Sequence, residues 1–539
     1  MSVINLKKPR LRWLFGGVGF QNSEATMTGI MSDSLYHEVF CKTFREISPT
    51  FSRVFAGYAD WTREAMDAFA DYYDDTFRKA GTVLYAAPGR MPMPTASFDV
   101  GDYCENVAER LAYLIKERKL TKLRYYCCTN EMSCGNTYAY LSRNLDLFAR
   151  LHEGLCEAFR RHSLDVGLLA CDSSGFMTDF NEKNLSWAIN SIDEVTECYC
   201  AHTYGHMKYF EPGNLGFYDA CREMYSRYVQ MVLKREKRFV LGEMGLKAPW
   251  QANSVMINDV CLCVDRPADE AVSAVMTAEM TMAAINAGCL ATVYWTMFDY
   301  PDPMLRENGD TPEEKARYDT ARFSGHGLGI RYNKNGLVRW CDDEADYSPR
   351  LLLYTMGYMA KLFRKGSRVL EAAWDDKHLR CAAVTNADGS MSAAIINWAA
   401  AEQSVTVHCE HRVTKPLRVY VYDAANPPKV PCGDLQPYTQ LIQQAEDGSF
   451  TVDVPAAGMV FVTTDYVERT PNAVVGLSMK SGRLCWKPSS DAEHCYYRVY
   501  LCDKQVASTT AEYIRAENPA DLSDYRVYSV DRWGNCAKT

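Results

Sequence analysis

Residues 123–131 of this 539-residue chain are LRYYCCTNE, a mostly apolar run that stops abruptly at Asn130 and Glu131. A short apolar run of this kind predicts a buried β-strand. Such a strand would bring an amide and a carboxylate to the rim of its sheet, where α/β enzymes place their chemistry. A second run, RFVLGEMG at residues 238–245, places Glu243 in the same setting. Together the two strands predict a pair of carboxylates on one active face.

Around this stretch, strand-like runs alternate with segments of helical period over the first two thirds of the chain. Alternating strands and helices predict βαβ units and a parallel sheet, and eight such units predict a closed (β/α)8 barrel. An open doubly wound sheet is the alternative, but no G-x-G-x-x-G or phosphate-binding loop follows the first strand. The predicted strands lie at residues 12–17, 51–56, 82–87, 122–128, 165–171, 195–202, 238–243 and 290–296.

The sequence pattern changes after Leu362. Residues 369–464 lose helical period and contain short strands, with hairpin-type turns at Asp388-Gly389 and Asp447-Gly448. Residues 475–539 resemble a short fibronectin type III module, with an early Trp486 and a late Tyr-x-Val strand. We therefore predict an α/β barrel followed by two small all-β domains. The predicted units are a barrel over residues 1–365, an antiparallel β-sandwich over 366–467 and the fibronectin-like domain over 475–539.

The composition narrows the range of partners. A net charge of −9 argues against nucleic acid, because phosphate binding requires a basic surface. The 21 cysteines include no C-x-x-C pair of zinc spacing, so we predict free thiols and no metal site. No signal-peptide pattern follows the N-terminus, and Gly288 divides the apolar stretch 271–298 into a helix and a strand. These features predict a cytoplasmic protein with no membrane partner.

The placement of the two glutamates resembles a known group of enzymes. Glu131 after the fourth strand, directly preceded by Asn130, and Glu243 after the seventh resemble the signature of glycoside hydrolase clan A, the cellulase-like barrels. The resemblance covers about residues 10–365, and a trailing β-sandwich is also common in that clan. Met132 stands where many members have proline, so the resemblance is to the clan rather than to one family within it, such as family 39 of β-xylosidases and iduronidases.

The resemblance implies a retaining mechanism, in which two carboxyl groups about 5–5.5 Å apart act as nucleophile and as acid/base. Glu243 would be the nucleophile and Glu131 the acid/base, while Asn130 would hold the sugar 2-hydroxyl. Tyr204 would orient the nucleophile. Arg53 would support the nucleophile and keep its pKa low through opposite charge.

Other candidate substrate-binding residues lie at strand ends or on loops of the same face. Trp295, on the eighth strand, resembles the aromatic floor on which clan A enzymes stack the sugar. Asp172 and His206 share this setting, but solvated or structural roles are favoured for them. The remaining candidates are Gln21, Asn22, Glu24, His202 and Asp299.

The expected function is the hydrolysis of a small glycoside or oligosaccharide, with exo-action and without a cofactor. Two alternatives stay open. One is a catalytically silent carbohydrate-binding or scaffolding barrel, and the other is a transglycosylase or lyase that uses the same carboxylates. The two β domains also offer surfaces on which a homo-oligomer could form.

Overall fold

The computed structural model describes residues 2–9, 11–88, 98–132, 141, 143–206, 209–247, 254–257, 260–263, 270–301, 332–333, 335–340, 345–516 and 522–537. Eight parallel strands form a closed barrel, which confirms the predicted (β/α)8 fold. We number them barrel strands 1 to 8 in chain order. They are Gly17–Gln21, Phe51–Phe55, Val83–Ala87, Leu123–Cys127, Gly167–Ser174, Cys198–His206, Arg238–Lys247 and Ala291–Tyr294.

Helices follow each barrel strand and pack their apolar faces on the outside of the barrel. The helix after strand 7 is buried along most of its length and ends at Gly288, whose φ of +94° is a left-handed conformation that favours glycine. The predicted division of residues 271–298 is therefore confirmed. The helices are Leu35–Cys41 continuing into Lys42–Ile47, Arg63–Asp75, Phe77–Ala80, Val100–Ala112 continuing into Tyr113–Glu117, Leu145–Arg161, Phe180–Ser191, Phe217–Leu233, Ala271–Ala287 and Leu353–Leu362.

Strand 1 was predicted too early in the chain. It begins at Gly17, where the predicted strand ended, and it runs on to Gln21. The cause is a close backbone approach, because a Cβ atom on Gly19 would lie 1.7 Å from the carbonyl oxygen of Phe51 on strand 2. A strand that requires glycine there lacks the large apolar residues that mark its neighbours. The correction places Gln21 in the barrel wall.

A β-sandwich follows the barrel, and it includes the N-terminus of the chain. Ser2–Pro9 pairs antiparallel with Arg368–Trp374 and parallel with Gln403–Cys409, and it buries Ile4 and Leu6 in the sandwich core. The predicted barrel domain of residues 1–365 is therefore wrong at its start. In sheet order the strands are Gln440–Ile442, Leu417–Tyr422, Gly458–Thr463, Met391–Asn397, Leu379–Thr385, Arg368–Trp374, Ser2–Pro9, Gln403–Cys409 and Ser449–Val454.

The C-terminal domain consists of two small antiparallel sheets packed around Trp486 and Tyr497. One sheet contains Ser478–Lys480, Arg483–Cys485 and Tyr513–Arg515, and the other contains Lys504–Thr509, His494–Leu501 and Tyr525–Asp531. Two short pairs lie in the loops after barrel strands 7 and 8, namely Ser254–Ile257 with Val260–Cys263 and Tyr300–Pro301 with Tyr332–Asn333. Among the described residues, no helix combines the length and apolarity needed to cross a membrane.

A buried group of charges, which we call the junction cluster, ties the three units together. Lys42, on the helix that leads into barrel strand 2, lies 2.8 Å from Glu46 and 2.6 Å from Asp434 of the sandwich. From the C-terminal domain, Tyr496 donates to Glu46 at 2.8 Å and Arg498 donates to Asp434 at 2.6 Å. The domains are therefore fixed to one another through charged side chains that are largely removed from water.

Candidate active site

Arg53, on barrel strand 2, is fully buried and binds side chains from four other parts of the barrel. Its Nη1 donates to Glu243 Oε1 at 2.6 Å and to Gln21 Oε1 at 3.0 Å. Its Nη2 donates to Asn130 Oδ1 at 2.6 Å and to Asp172 Oδ2 at 2.9 Å. One guanidinium thus collects side chains from strands 1, 5 and 7 and from the segment after strand 4. The predicted convergence of Arg53, Asn130 and Glu243 is present.

The pairing of the strands explains this convergence. Gln21 pairs with Arg53, and His202 pairs with Glu243, so these side chains lie at one level of the barrel. Two register shifts then turn side chains inward, one beside Asp172 and one at Gly242, as β-bulges commonly do near active sites. A Cβ atom on Gly242 would lie 3.1 Å from His202 Nε2, so glycine makes room for that ring.

His202 joins three carboxyl groups. Its Nε2 lies 2.6 Å from Asp172 Oδ1, while its Nδ1 lies 3.1 Å from Glu131 Oε1 and 3.4 Å from Glu243 Oε2. Burial opposes the charged ring, but the negative charges of Asp172 and Glu243 outweigh it and raise the pKa of His202 to about 10. The ring is therefore an imidazolium at neutral pH, and both of its nitrogens donate.

The two predicted catalytic glutamates face each other across this histidine. A carboxylate oxygen of Glu131 lies within 4.8 Å of one of Glu243. Glu243 is 2% exposed and accepts a hydrogen bond of 2.5 Å from the Tyr204 hydroxyl, whereas the Glu131 side chain is 21% exposed. Glu131 also has a φ of +48°, a left-handed conformation that costs energy in a residue with a side chain and is concentrated at functional sites.

The electrostatics of Glu243 differ from the expectation. Its pKa was predicted to be low because of Arg53, but burial raises the pKa of Glu243 above its usual value. The positive charges of His202 and Arg53 oppose this increase without reversing it. The prediction treated the charge partner alone, whereas desolvation of a buried carboxylate is the larger effect here.

A group of aromatic side chains lies beside Arg53. Trp295 follows strand 8, is half-buried, and makes edge contacts with Phe55 at 5.7 Å and with Tyr300 at 5.9 Å between ring centroids. The Arg53 guanidinium lies 5.2 Å from the centre of the Phe55 ring. Trp295 is therefore next to the charged group, where an apolar ring could contact the carbon face of a ligand.

Three of the predicted substrate-binding residues have other partners. Gln21 holds Arg53, and Asn22 donates to the buried Glu24 at 2.8 Å. Asp299 is 1% exposed, and Arg350 donates to both of its carboxylate oxygens at 2.8 Å. The structure therefore does not bring Asp299 into the site, because burial forced its carboxylate to pair with a neighbouring arginine. His206 ends strand 6, and its side chain lies outside the described residues.

Two residues at the centre of the group are Tyr85, which the sequence did not single out, and Asp172, for which a structural or solvated role was favoured. Tyr85, on strand 3, donates to Asp172 Oδ1 at 2.5 Å, and Asp172 itself binds both Arg53 and His202. Burial disfavours the charge on Asp172, but His202 and Arg53 hold the pKa of its carboxyl well below its usual value. The available signal was the position of Asp172, a polar residue directly after the apolar run of strand 5.

Within the part of the chain that the structure describes, two sets of side chains bring possible metal ligands within 4.8 Å of one another, namely Cys127, Asp172 and Cys200, and Glu131, His202 and Glu243. Their chemistry does not favour a metal. The charged His202 has no lone pair to offer, and the oxygens of Asp172 already accept from Arg53, Tyr85 and His202. Burial raises the pKa of the Cys200 thiol well above its usual value, so it stays protonated.

No protein-family model matches this sequence, and a search of curated proteins found none that is similar. Solved structures do match. A glycoside hydrolase family 30 subfamily 8 xylanase from Clostridium acetobutylicum is 13% identical over 86% of this chain and 98% of its own, with a TM-score of 0.53. An endo-β-1,6-glucanase is 13% identical over 86% of this chain and 94% of its own, with a TM-score of 0.53.

A bacterial orthologue of human α-L-iduronidase matches the full length of this chain. It covers 100% of this chain and 98% of its own, at 12% identity and a TM-score of 0.57. The chain therefore has the fold of these glycoside hydrolases, an eight-stranded parallel barrel with a trailing β region, as the resemblance to clan A implied. At identities of 12–13%, the similarity shows a common fold and does not extend to activity or substrate.

Proposed function

We propose that the protein is a retaining glycoside hydrolase that cleaves small glycosides or oligosaccharides in the cytoplasm. The observation that carries this proposal is the pair Glu131, which follows barrel strand 4, and Glu243, on barrel strand 7, which face each other with carboxylate oxygens within 4.8 Å. Oxygens this close agree with the retaining arrangement, in which the two carboxyl groups lie about 5–5.5 Å apart.

Each residue has a role in the proposed double displacement. Glu243 attacks the anomeric carbon, while Glu131 protonates the leaving oxygen and later removes a proton from the attacking water. Glu243 suits the first role because Arg53 and Tyr204 fix both of its oxygens, at 2.6 and 2.5 Å. Glu131 suits the second because it is the more exposed of the two, so it can exchange protons with a leaving group and with water.

The surrounding residues would bind the sugar. Arg53 occupies Asn130 Oδ1, which leaves the amide nitrogen of Asn130 as a donor for the 2-hydroxyl. Trp295 and Phe55 offer apolar rings for the carbon face of the ring in the reacting subsite. The structural neighbours act on different substrates, by their names xylan, a β-1,6-glucan and an iduronide, so the sugar configuration is not part of this proposal.

A panel of aryl glycosides tests the activity, and azide rescue tests the roles. We expect Glu243→Ala to lose hydrolysis and azide to restore it partly, with a glycosyl azide of inverted configuration as the product. Glu131→Ala should instead give a glycosyl azide of retained configuration. Glu279→Ala is the matched control, because Glu279 is a buried glutamate that pairs with Arg380 outside the barrel interior.

Other outcomes would favour the alternatives. Sugar binding without turnover of any panel member would indicate a silent carbohydrate-binding barrel. Unsaturated products would indicate a lyase, and products with a transferred sugar would indicate a transglycosylase. If the two variants gave azides of the opposite configurations, the roles of Glu131 and Glu243 would be exchanged.

A further inference from the structure

Asp172 touches neither of the two glutamates to which the proposed function assigns the chemistry, yet it is the most fully bonded carboxylate of the site. Its Oδ1 accepts from Tyr85 at 2.5 Å, from His202 at 2.6 Å and from the Cys200 thiol at 3.4 Å. Its Oδ2 accepts from Arg53 at 2.9 Å. The four donors come from barrel strands 2, 3 and 6, and Asp172 is 0% exposed.

The backbone at Asp172 is built for this position. Asp172 has a φ of +58°, a left-handed conformation that is uncommon outside glycine, and it occupies the register shift between strands 5 and 6. A regular strand would alternate its side chains between the barrel interior and the outer face. The extra residue turns the carboxylate toward His202. Backbone strain of this kind persists only where the surrounding structure holds it, and it is concentrated at functional sites.

We propose that Asp172 is a positioning residue that acts through His202, fixing this ring as a hydrogen-bond donor toward both Glu131 and Glu243. The inference rests on the proposed function, because it assigns Asp172 a task in the same reaction. Since Asp172 is a permanent acceptor at Nε2, the proton on that nitrogen is fixed. The protonation of the remaining nitrogen, Nδ1, then determines whether His202 donates a hydrogen bond to the two glutamates.

The charges around the ring support a donor at Nδ1. Asp172 from strand 5, Glu131 from the segment after strand 4 and Glu243 from strand 7 all lie within 3.4 Å of a ring nitrogen. Arg53 is the opposing cation, but it is bonded to Asp172 and Glu243. From strand 6 itself, Tyr204 is bonded to Glu243 and Cys200 to Asp172, and Tyr85 of strand 3 is bonded to Asp172.

The consequence for the reaction follows from the hydrogen bond to Glu131. When Glu131 gives its proton to the leaving oxygen, it becomes an anion, and the Nδ1 proton at 3.1 Å stabilises that anion. A neutral ring would present a lone pair at Nδ1 instead, and this lone pair would repel an ionised Glu131 and an ionised Glu243. Asp172 therefore favours the state of the site that follows proton transfer.

The test is the Asp172→Asn variant, measured by NMR and by kinetics. In wild-type protein labelled at histidine, we expect His202, identified by the signal lost in His202→Gln, to stay charged at about pH 8, above the ordinary histidine value of about 6.5. In Asp172→Asn its titration midpoint should fall toward that ordinary value. Above the new midpoint the ring no longer donates to Glu131, so the basic limb of the pH profile of kcat/KM, which Glu131 sets, should move to higher pH.

The loss of positioning should also lower kcat/KM by about 10²-fold at the optimum, the effect expected of a catalytic group that is misplaced by about 1 Å. Asp434→Asn is the matched control, because Asp434 is a buried aspartate held by Lys42 and Arg498 in the junction cluster. It should lower stability but leave the His202 midpoint and both limbs of the profile unchanged.

Three results would overturn the inference: a wild-type His202 that is neutral at about pH 7, a His202 that stays charged in Asp172→Asn, or a pH profile that does not move in this variant. The wild-type measurement decides even if Asp172→Asn does not fold. It also separates this inference from the proposed function, because the His202 titration is observed whether or not any glycoside is turned over.

Discussion

The active site and the junction cluster contain the same kinds of groups but serve different ends. Each has a buried cation between two carboxylates, Arg53 between Asp172 and Glu243 in the site, and Lys42 between Glu46 and Asp434 in the junction. Each also has a tyrosine hydroxyl bound to a carboxylate. Burial and charge pairing alone therefore do not identify a functional site.

What differs is the group that lies next to the paired charges. In the site, Glu131 remains 21% exposed and faces the buried Glu243 across a charged histidine. In the junction, Arg498 is a second cation that binds Asp434, so the carboxylates there face cations and a tyrosine rather than an opening. A buried network becomes chemically useful where it holds a second carboxyl group at its edge, within reach of a ligand.

The largest effect is expected for Arg53→Met. This change removes a cation that opposes the raised pKa of Glu243, so more of that carboxyl is protonated at neutral pH and its nucleophilic form is lost. We expect kcat/KM to fall by about 10²–10³-fold, as for the loss of a preorganised donor. Urea unfolding should also show a stability loss of about 3–5 kcal/mol. A variant that keeps its rate within about tenfold of wild type would contradict the role of Arg53.

Lys42→Met is the matching change in the junction cluster. It leaves Glu46 and Asp434 buried beside one another without the cation between them, so we expect a loss of about 3–5 kcal/mol in the free energy of unfolding. The kcat/KM of the folded variant should stay close to that of wild type, because Lys42 bonds no residue of the site. A large fall in rate at a temperature where circular dichroism shows full folding would mean that the two clusters are coupled.

The sequence predicted the fold well because the barrel signal is repeated. Each unit provides a strand followed by a helix, so an error in one strand leaves the count of eight intact. The misplaced strand 1 is an example. Its Gly19 is required by the close backbone of strand 2, so the strand lacks the apolar pattern that would mark it in the sequence. The pairing of Ser2–Pro9 with the sandwich was not predictable locally, because it depends on contacts with strands more than 350 residues away.

The site was predicted where a residue follows directly from strand position. Arg53 and Glu243 lie on strands 2 and 7, and Glu131 follows strand 4, and the closed parallel barrel brings these positions together. Asp172 was missed as a central residue because its inward direction depends on a register shift, which no hydrophobic pattern reveals. Asp299 was assigned to the site because its pairing with Arg350 depends on tertiary contact.

Glu24 extends the comparison to a buried carboxyl that forms no ion pair with any residue the structure describes. Asn22 and Tyr72 donate to it, and burial raises its pKa to about 7. A carboxyl with a raised pKa holds its proton in the folded state after the unfolded chain has lost it. Stability therefore falls as pH rises from about 4.5 to about 7, and the shift corresponds to roughly 3 kcal/mol.

Glu24→Gln should remove this dependence, since glutamine resembles the protonated carboxyl. Compared with wild type, the variant should gain roughly 3 kcal/mol of relative stability between about pH 5 and about pH 8, measured by urea unfolding at several pH values. Glu64→Gln, on the exposed face of the helix Arg63–Asp75, serves as the control and should follow the wild-type curve. An identical pH dependence in wild type and Glu24→Gln would show that Glu24 ionises normally.

The smallest effect is expected for two tyrosines that each donate to a buried glutamate, one in each cluster. Tyr204 donates to Glu243 at 2.5 Å, and Tyr496 donates to Glu46 at 2.8 Å. A hydrogen bond to a charged group contributes about 1.5–3 kcal/mol. In Tyr204→Phe this loss should appear in the rate, as a fall of about 10- to 100-fold in kcat with the acid limb moved to higher pH, because Glu243 loses a donor that lowers its pKa. In Tyr496→Phe the same loss should appear only in the free energy of unfolding.

If Tyr204→Phe lost stability but kept its kcat, the hydroxyl would hold the barrel together in the way that Tyr496 holds the junction, and the distinction between the two clusters would fail at Glu243.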